Sequence, residues 1–315
     1  THFDGVSVRV YVPISRRDGD LLPGVVYLHG GGWVLGSPES EENIGRELTK
    51  RLNAVVVSVD YRMAPEVTFP TSFEDSLRAT KYFLTHTEKF GVDASRVAVA
   101  GNSAGGNMAA TVSLKLRDDQ FEPRVKRQVL IYPVVQFVDY QMPSYQQNAY
   151  APILKRPLLV YFLSMQLYGN RSLENVISNN KHVTRDVRET IGASYMDYAW
   201  LPNEFLELSP FEDNGFLEGD AEVWNSIKDA VMSPYMSPLF AKHLGDLPDA
   251  FVITCQYDML RDEGYLYARR MEQFGTKVKY VNYKSTFHGV LNAFDFIKEG
   301  GQMMDDIVTY LKKEL

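Results

Sequence analysis

The sequence predicts an α/β fold in which a mostly parallel, doubly wound sheet carries helices on both faces. Short runs of β-branched residues alternate with helical patterns along most of the chain, as in repeated βαβ units. Nearly every position in these runs is apolar, which is typical of strands buried on both faces. The six clearest runs are VVYLH (25–29), AVVVSV (54–59), RVAVAG (96–101), QVLIYP (128–133), AFVITC (250–255) and VKYVNY (278–283). An open sheet of this kind binds ligands near the carboxyl ends of its strands.

Helical patterns lie between these runs. After the first run, Ser37 is a candidate N-cap with Pro38 at the first helical position, and a stripe of apolar residues follows at Ile44, Leu48 and Leu52. Residues 72–84 and 303–315 show the same pattern.

The alternating segment VSVRVYVP (6–13) predicts a half-buried strand near the start of the chain. The chain has no initiator methionine, and its first predicted strand begins already at residue 6. We therefore expect that a signal or a membrane anchor preceded it and was removed.

Composition narrows the possible functions. The 315 residues are 45% hydrophobic and carry a net charge of −7, without a block of like charges. A nucleic-acid-binding surface needs clustered Lys and Arg, so we expect no nucleic-acid partner. Cys255 is the single cysteine, which excludes an internal disulfide and any site with several thiolate ligands. No run of 18 apolar residues is present, so we expect no segment of this sequence to span a bilayer.

The alternation of strands and helices stops for more than a hundred residues after the fourth run. A loop of that length is improbable in a compact domain, so we predict an inserted helical cap at 136–235. The core is then formed by 1–135 and 236–315. The clearest helix of the insert is RPLLVYFLSMQLYG (156–169), which is apolar nearly all round. It is expected either to be buried within the insert or to form a lid that faces a substrate or a membrane.

The segment VAVAGNSAGGNMAA (97–110) contains the pattern G-x-S-x-G at Gly101, Ser103 and Gly105. A buried strand leads into it and an apolar-striped helix leads out, which is the setting of a nucleophile elbow. The glycines allow a sharp turn that holds the Ser103 hydroxyl above the sheet. The alternative is a serine that only caps the helix.

A serine hydroxyl is a weak nucleophile until a base takes its proton. His288 follows the last run, at the sheet edge that also holds Ser103, and Asp258 follows the AFVITC run at the same edge. An acid in that place can orient the imidazole, and the order Ser, Asp, His is typical of α/β-hydrolases. Asp262 and Glu263 fit better as the N-cap and first turn of the next helix. Exposed side chains are expected for His2, His86, His182 and His243.

The glycine triplet in YLHGGGWVLG (27–36) follows the first run. No lysine follows it, as a Walker phosphate loop requires, and its spacing does not match a dinucleotide fingerprint. An oxyanion hole fits, because attack on an ester carbonyl places negative charge on an oxygen that backbone amides stabilise. We predict Gly30, Gly31 and Ala104 as the amide donors and His29 as a structural anchor of the loop.

Five motifs together resemble one known family. HGGGW, DYRMAPE, GNSAGGN, YDMLRDEG and FHG follow one another in the order and approximate spacing of the hormone-sensitive-lipase family of α/β-hydrolases. The surrounding residues are most similar to its arylacetamide deacetylase branch. The resemblance implies the α/β-hydrolase fold and a serine carboxylesterase with Ser103 as nucleophile, His288 as general base and Asp258 as its partner. It also implies a membrane-anchored protein on the lumenal face of the endoplasmic reticulum, where Asn170 in NRS (170–172) would be a glycan site.

The sequence departs from the family pattern at several positions. Asn102 stands where the family usually has aspartate, which is expected to leave the triad intact but to alter the local field. Val34 stands where relatives often carry the cysteine that pairs with the one matching Cys255, so a buried thiol is expected at Cys255. Within DYRMAPE, the charged residues are interpreted as a scaffold for the glycine loop; they are Asp60, Arg62 and Glu66.

The sequence therefore predicts hydrolysis of carboxylic esters, and of arylacetamides, through an acyl-enzyme that needs neither a metal nor an organic cofactor. The apolar insert favours lipophilic substrates, and either the insert helix or a lost N-terminal anchor would supply a membrane contact. One alternative is a small-ligand receptor on the same fold, a class that lacks the catalytic histidine. A purely structural interaction module is the other, and it gives no reason for the triplet, the elbow and the acid–base pair to occur together.

Overall fold

The computed structural model describes residues 1–208, 211–212 and 218–315. Its centre is an eight-stranded sheet with the order β1-β2-β4-β3-β5-β6-β7-β8. The strands are β1 His2–Phe3, β2 Val6–Tyr11, β3 Leu22–Leu28, β4 Val55–Asp60, β5 Val92–Asn102, β6 Arg127–Ile131, β7 Asp249–Tyr257 and β8 Val278–Phe287. Strands β3 to β8 are parallel, and β2 pairs antiparallel with both β1 and β4. The predicted mostly parallel sheet is confirmed.

Helices cover both faces of this sheet. They are α1 Glu42–Leu52, α2 Thr71–Thr85, α3 Ala104–Asp118, α4 Pro143–Gln147, α5 Arg156–Tyr168, α6 Glu174–Ser178, α7 Arg185–Tyr195, α8 Asn203–Leu206, α9 Ala221–Val231, α10 Arg261–Gln273 and α11 Lys298–Glu314. On one face, Ile44 of α1 and Ile307 of α11 pack in one hydrophobic cluster with Val56 of β4. The other face belongs to a larger cluster that includes α2, α3, α10 and the insert. Burial on both sides explains why the strands are apolar at nearly every position.

The first helix begins later than its sequence pattern predicts. Ser37 does not cap α1; its hydroxyl accepts hydrogen bonds from the amides of Glu39 and Ser40, both at 3.2 Å. These bonds stabilise a turn instead of a helix end, since Ser side chains compete for nearby backbone donors. The helix starts at Glu42, and Glu41 is its N-cap residue with a side chain that bonds no amide of its own helix.

The residues between β6 and β7 form the helices α4 to α9, together with short 3₁₀ turns. The predicted boundaries at 136 and 235 both fall outside these helices, and the division into core and cap stays a prediction. Side chains from the insert, such as Leu163 of α5 and Ile177 of α6, belong to the same hydrophobic cluster as the sheet residue Val26. The insert is therefore packed onto the core.

Helix α5 matches the predicted helix over 156–169. Gly169 ends it with φ of +67°, and its amide donates to the carbonyl of Met165 at 2.8 Å. This left-handed cap is a common helix terminator. Most of its apolar side chains are buried, including Leu159 and Leu163. Across the described ranges, the structure contains no helix with the length and apolar character needed to cross a membrane.

Candidate active site

Ser103 occupies a sharp turn between β5 and α3. Its φ and ψ are +57° and −120°, a combination that a serine adopts only under constraint from its surroundings. The Ser103 amide donates to the carbonyl of Ile131 at 2.9 Å, which ties the turn to the end of β6. A Cβ on Gly105 would lie 2.0 Å from the carbonyl oxygen of Leu28, so only glycine allows α3 to start so close to β3. This is the geometry of a nucleophile elbow.

The structure brings the three predicted triad residues into one hydrogen-bonded chain. The Ser103 Oγ lies 2.9 Å from Nε2 of His288, and the His288 Nδ1 lies 2.8 Å from Oδ2 of Asp258. Asp258 is buried, and its other oxygen accepts the amide of Leu260 at 3.0 Å. With Nδ1 as the donor to the carboxylate, Nε2 is the free base that faces the serine hydroxyl.

The glycine loop places its amides differently from the prediction at one position. The Gly30 amide donates to Oε1 of Glu41 at 3.3 Å. The amides of Gly31, Gly32 and Ala104 have no hydrogen-bond partner in the part of the chain that the structure describes. These three amides are therefore the ones free to bind an oxyanion, and Gly32 takes the place predicted for Gly30.

The backbone of the loop requires glycine for conformational reasons. Gly31 has φ of +115°, and a Cβ there would lie 2.0 Å from the carbonyl oxygen of Leu35. The Gly31 carbonyl in turn accepts the amides of Val34 and Leu35 at 3.1 and 2.9 Å. These bonds close the loop on itself and leave the amide side open.

A buried carboxylate from the residue before α1 borders the site. Glu41 Oε1 accepts the amide of Gly30 at 3.3 Å and the side-chain amides of Asn102 and Asn292, each at 3.0 Å. Its Oε2 accepts the hydroxyl of Tyr27 at 3.0 Å, and that hydroxyl also lies 2.9 Å from Oδ1 of Asn102. We call these five residues the Glu41 cluster. Burial of a carboxylate is tolerated here because its oxygens are met by donors.

A cavity of about 280 Å³ opens beside Ser103 and His288. Apolar side chains form one side of it, and they are Leu35, Ile153, Leu154, Leu158 and Phe162. The Phe162 ring from α5 lies so close to the glycine loop that a Cβ on Gly32 would be 2.2 Å from a ring carbon. Helix α5 is thus mostly buried, and two of its residues also face the cavity.

The scaffold of the glycine loop is the tyrosine of DYRMAPE, not the charged residues of that motif. The Tyr61 hydroxyl donates to the carbonyl of His29 at 2.8 Å, and the two rings stack with centroids 4.2 Å apart. Arg62 bonds Asp75 of α2 instead, while Asp60 and Glu66 border an open groove away from the site. His29 is buried against the loop, as predicted for a structural anchor. Burial lowers the pKa of its imidazole.

Of the two acidic residues that follow Asp258, Glu263 lies in the first turn of α10 as predicted, and Asp262 differs from its prediction. Asp262 is not an N-cap, because α10 begins at Arg261. Both Asp262 and Glu263 are fully buried, and both bond the insert: Asp262 accepts the amide of Ser144 at 2.7 Å, and Glu263 accepts the side-chain amide of Gln136 at 3.0 Å. The first turn of α10 therefore bonds residues of the segment between β6 and β7.

The remaining histidines follow the prediction only in part. His2 and His243 are exposed, and His86 is half-buried. The prediction is wrong for His182, which is buried, stacks on Tyr140 with centroids 5.0 Å apart and contacts the carbonyl of Phe137 at 3.1 Å. Burial lowers the pKa of His182 to about 3, so it is neutral. Cys255 is a buried free thiol, as expected.

Sequence patterns missed the residues whose side chains leave a turn or cross between elements. Glu41, Tyr61 and Phe162 are the clearest cases. Tyr61 lies within the DYRMAPE motif, so the motif itself indicates that this residue matters for the site. No helical periodicity predicts where the Glu41 side chain points, because Glu41 lies in the turn before α1. Among the described residues, no group of three or more His, Cys, Asp and Glu side chains is placed to hold a metal ion.

Comparisons with known proteins agree with this geometry. The family described as having the α/β-hydrolase fold matches residues 25–191 and 211–292. Arylacetamide deacetylase of Bos taurus is 36% identical over 100% of this chain and 79% of its own length. Neutral cholesterol ester hydrolase 1 of Rattus norvegicus is 36% identical over 92% of this chain and 73% of its own length.

Solved structures show the same relationship. A hyperthermophilic esterase from the archaeon Pyrobaculum calidifontis superposes with a TM-score of 0.74 at 34% identity, covering 98% of this chain and 79% of that one. An esterase from Pseudomonas putida superposes with a TM-score of 0.75 at 29% identity, covering 98% of this chain and 79% of that one. The chain belongs to the α/β-hydrolase family, in the hormone-sensitive-lipase-type group that includes the arylacetamide deacetylases and neutral cholesterol ester hydrolases.

Proposed function

We propose that the chain hydrolyses carboxylic esters through an acyl-enzyme formed on Ser103. The observation that carries this proposal is the continuous chain of hydrogen bonds from Ser103 through His288 to Asp258. An imidazole held between a hydroxyl and a buried carboxylate can take the serine proton and then deliver it to a leaving group. Relatives whose names describe ester hydrolysis and deacetylation support the same reaction class.

The reaction proceeds in two halves on these residues. The Ser103 oxygen attacks the ester carbonyl carbon while its proton passes to Nε2 of His288, which then protonates the departing alcohol. Water next enters, gives a proton to the same nitrogen and attacks the acyl-enzyme, and Ser103 regains its proton as the acid leaves. Asp258 keeps the imidazole oriented and stabilises its positive form throughout.

Three backbone amides are placed to bind the oxyanion of each half-reaction. The amides of Gly31, Gly32 and Ala104 bond no other residue among those that the structure describes, and each such donor typically contributes about 10²–10³ in rate. The amide of Ala104 also lies at the N-terminus of α3, where the helix dipole favours negative charge.

Small esters with a lipophilic acyl or alcohol part are the proposed substrates. Apolar side chains line the cavity beside Ser103, with Leu158 and Phe162 contributed by α5. Contact with such a wall favours apolar groups by about 25 cal/mol for each Å² removed from water. Arylacetamides are a second proposed class, supported by the deacetylases among the relatives.

The test of the function uses p-nitrophenyl esters of graded acyl length with the wild type and Ser103→Ala. We expect the wild type to hydrolyse medium-length esters and Ser103→Ala to lose about 10⁶-fold in kcat, because the triad acts as a unit. Equal rates for both proteins would end the proposal. A rate profile that peaks on very short, polar esters would contradict the lipophilic substrate class only.

A small-ligand receptor on the same fold is not favoured, since the base and its acid are both in place against Ser103. An organophosphonate distinguishes the two, because it reacts only with an activated serine. We expect one phosphonyl group per chain, on Ser103, by mass spectrometry. A chain that binds small esters reversibly and takes up no phosphonyl group would be a receptor.

Location in the endoplasmic reticulum and a membrane contact also stay proposals. Asn170 supports a lumenal location, because it is exposed and its side chain forms local hydrogen bonds with the carbonyl of Tyr168 and the amide of Ser172. We expect a single endoglycosidase-sensitive glycan when the chain is expressed with a secretory signal, and none in Asn170→Gln. If endoglycosidase treatment leaves the gel mobility of the wild type unchanged, Asn170 carries no glycan.

A further inference from the structure

We infer that Glu41 is a positioning residue that holds the three reactive segments together, and that Asn102 is uncharged because Glu41 already supplies the negative charge at this point. The inference deepens the proposed function and rests on it. Each neighbour of Glu41 in the Glu41 cluster belongs to a different part of the site.

The contacts of one carboxylate oxygen reach all three segments. Glu41 Oε1 accepts from Gly30 in the glycine loop, from Asn102 at the end of β5 and from Asn292 in the 3₁₀ turn Val290–Ala293. Gly30 directly precedes Gly31, Asn102 directly precedes Ser103, and Asn292 lies four residues after His288. A shift of Glu41 would therefore move the oxyanion amides, the nucleophile and the base relative to one another.

Glu41 reaches this place because it is freed from helix α1. As the N-cap residue it bonds none of the first amides of its own helix, and its side chain is buried beside the cavity. Tyr27 from β3 fixes the second carboxylate oxygen at 3.0 Å. The carboxylate thus has four donors and a single orientation, which suits a group that must hold others in place.

The amide at position 102 fits this carboxylate where an acid would not. The Asn102 Nδ2 donates to Glu41 Oε1 at 3.0 Å, and the Asn102 Oδ1 faces the Tyr27 hydroxyl at 2.9 Å. An aspartate in the same place would set two carboxylates at hydrogen-bond distance in a buried site, where both cannot ionise without strong repulsion. The usual aspartate of the family and Glu41 are therefore alternatives for one negative charge.

The first test compares Glu41→Ala with Glu41→Gln. Removal of the carboxylate takes the shared acceptor away from three N–H donors, of which Asn102 keeps only a longer bond of 3.3 Å to Oδ1 of Asn292. A displacement of about 1 Å in catalytic groups costs about 10²-fold. We expect Glu41→Ala to lose about 10²-fold in kcat per active site, with KM changed by less than about threefold. Glutamine keeps one acceptor oxygen and can donate to the Tyr27 hydroxyl, so its loss should be about tenfold or less.

The second test exchanges the acid and the amide. We expect Asn102→Asp alone to lose about 10²-fold in kcat, because it doubles the negative charge. The double variant Glu41→Gln/Asn102→Asp restores one carboxylate and one amide, and we expect its kcat to return to within about tenfold of wild type. If either residue only stabilised the fold, the two losses would multiply and kcat would not recover.

Active-site titration with an organophosphonate corrects every rate for misfolded protein, and thermal unfolding is recorded in parallel. Glu39→Gln and Asn43→Asp are matched controls, since they make the same chemical changes at exposed positions next to the cluster. Both should keep the wild-type kcat. If Glu41→Ala does not fold, the comparison of Asn102→Asp with the double variant still decides.

Two results would overturn the inference: a wild-type kcat in titrated Glu41→Ala or Asn102→Asp, or losses in the double variant that simply multiply. Ser103→Ala in the same assay separates a failure of the inference about Glu41 from a failure of the proposed function. If Ser103→Ala is inactive while the Glu41 variants keep their kcat, only the positioning by Glu41 is wrong. If Ser103→Ala stays active, the proposed function itself is wrong.

Discussion

Ser103 shows how much the site depends on single residues. Its backbone is held at φ of +57° by the bond from its amide to Ile131 and by the close approach of Gly105 to Leu28. Such strain costs on the order of 1–3 kcal/mol and persists because the surrounding packing leaves no other conformation. The hydroxyl is thereby fixed against His288 before any substrate arrives, which removes a reorganisation step from the reaction.

Asp258 gives the sharpest prediction at this scale. In Asp258→Asn the side-chain amide can donate to Nδ1 of His288, which would place the proton of the imidazole on Nε2 and face it toward Ser103. We expect kcat to fall about 10⁴-fold while KM changes little, as measured with the preferred p-nitrophenyl ester. Asp262→Asn is no suitable control because Asp262 is buried, so Asp246→Asn at an exposed position serves instead. A loss below about tenfold would show that Asp258 does not orient the base.

Residue roles were predictable where a motif fixed the local geometry. The elbow pattern and the two loops at the same sheet edge located Ser103, Asp258 and His288, and the structure brings these three together. Glu41 was not predictable, because its direction depends on a turn stabilised by Ser37 and not on helical periodicity. The bond from Gly30 to Glu41 was hidden for the same reason.

Helix α5 is the element that sets the size of the cavity. Its Phe162 lies against Gly32, and its Leu158 lines the same wall. In Phe162→Ala the space of the ring becomes available to substrate, so we expect the preferred acyl chain of p-nitrophenyl esters to lengthen by two or more carbons, roughly the length of the ring. Relative kcat/KM across the chain-length series measures the change.

Leu167→Ala is the matched control in the same helix. Leu167 packs against the core but does not line the cavity. It should destabilise the protein without changing the chain-length preference. An unchanged preference in Phe162→Ala would place the acyl group elsewhere.

Elements were predicted best where periodicity was long and unbroken. All six apolar runs overlap strands, and α5 begins at Arg156 and ends before Gly169 as its Pro and Gly pattern indicates. The predicted N-terminal starts of α1 and α10 were wrong, because the Ser37 hydroxyl bonds a turn and the Asp262 carboxylate turns inward to Ser144. The first error arises from a local competition, since Ser37 bonds the amides of Glu39 and Ser40 in a turn. The second arises from a partner distant in the sequence, Ser144.

At the scale of the molecule, cap and core are joined through buried polar groups. Glu263 of α10 accepts the side-chain amide of Gln136 at 3.0 Å and the hydroxyl of Tyr145 at 2.6 Å, both from the insert. Asn148 of the insert also donates to the carbonyl of Asp258 at 3.2 Å. We therefore expect the core and the cap to unfold together.

Glu263 also makes the stability depend on pH. Burial, the largest influence, raises its pKa from 4.5 to about 8. The folded state thus holds a proton that the unfolded state releases between these values, so the free energy of unfolding should fall as pH rises from about 4.5 to about 8. One proton limits the slope to about 1.4 kcal/mol per pH unit. Urea titrations at several pH values measure it.

Glu263→Gln should flatten this slope, because glutamine does not titrate. Glu272→Gln near the end of the same helix is the control and should keep the wild-type slope. The slopes are compared and not the absolute stabilities, since glutamine lacks one acceptor. An equal slope in Glu263→Gln and wild type would show that another group carries the pH dependence.

Because the Phe162 ring packs on Gly32, entry of substrate into the cavity is linked to the geometry of the oxyanion amides. A displacement of α5 that widened the entrance for a bulky ester would also lift the ring from the backbone that carries the oxyanion amides. Substrate entry and product release would then coincide with loosely held oxyanion amides. Bond cleavage would coincide with the closed position of α5, in which the Phe162 ring packs on the loop. An ester too large for α5 to close over would occupy the cavity and yet turn over slowly, as an inhibitor of its smaller competitors.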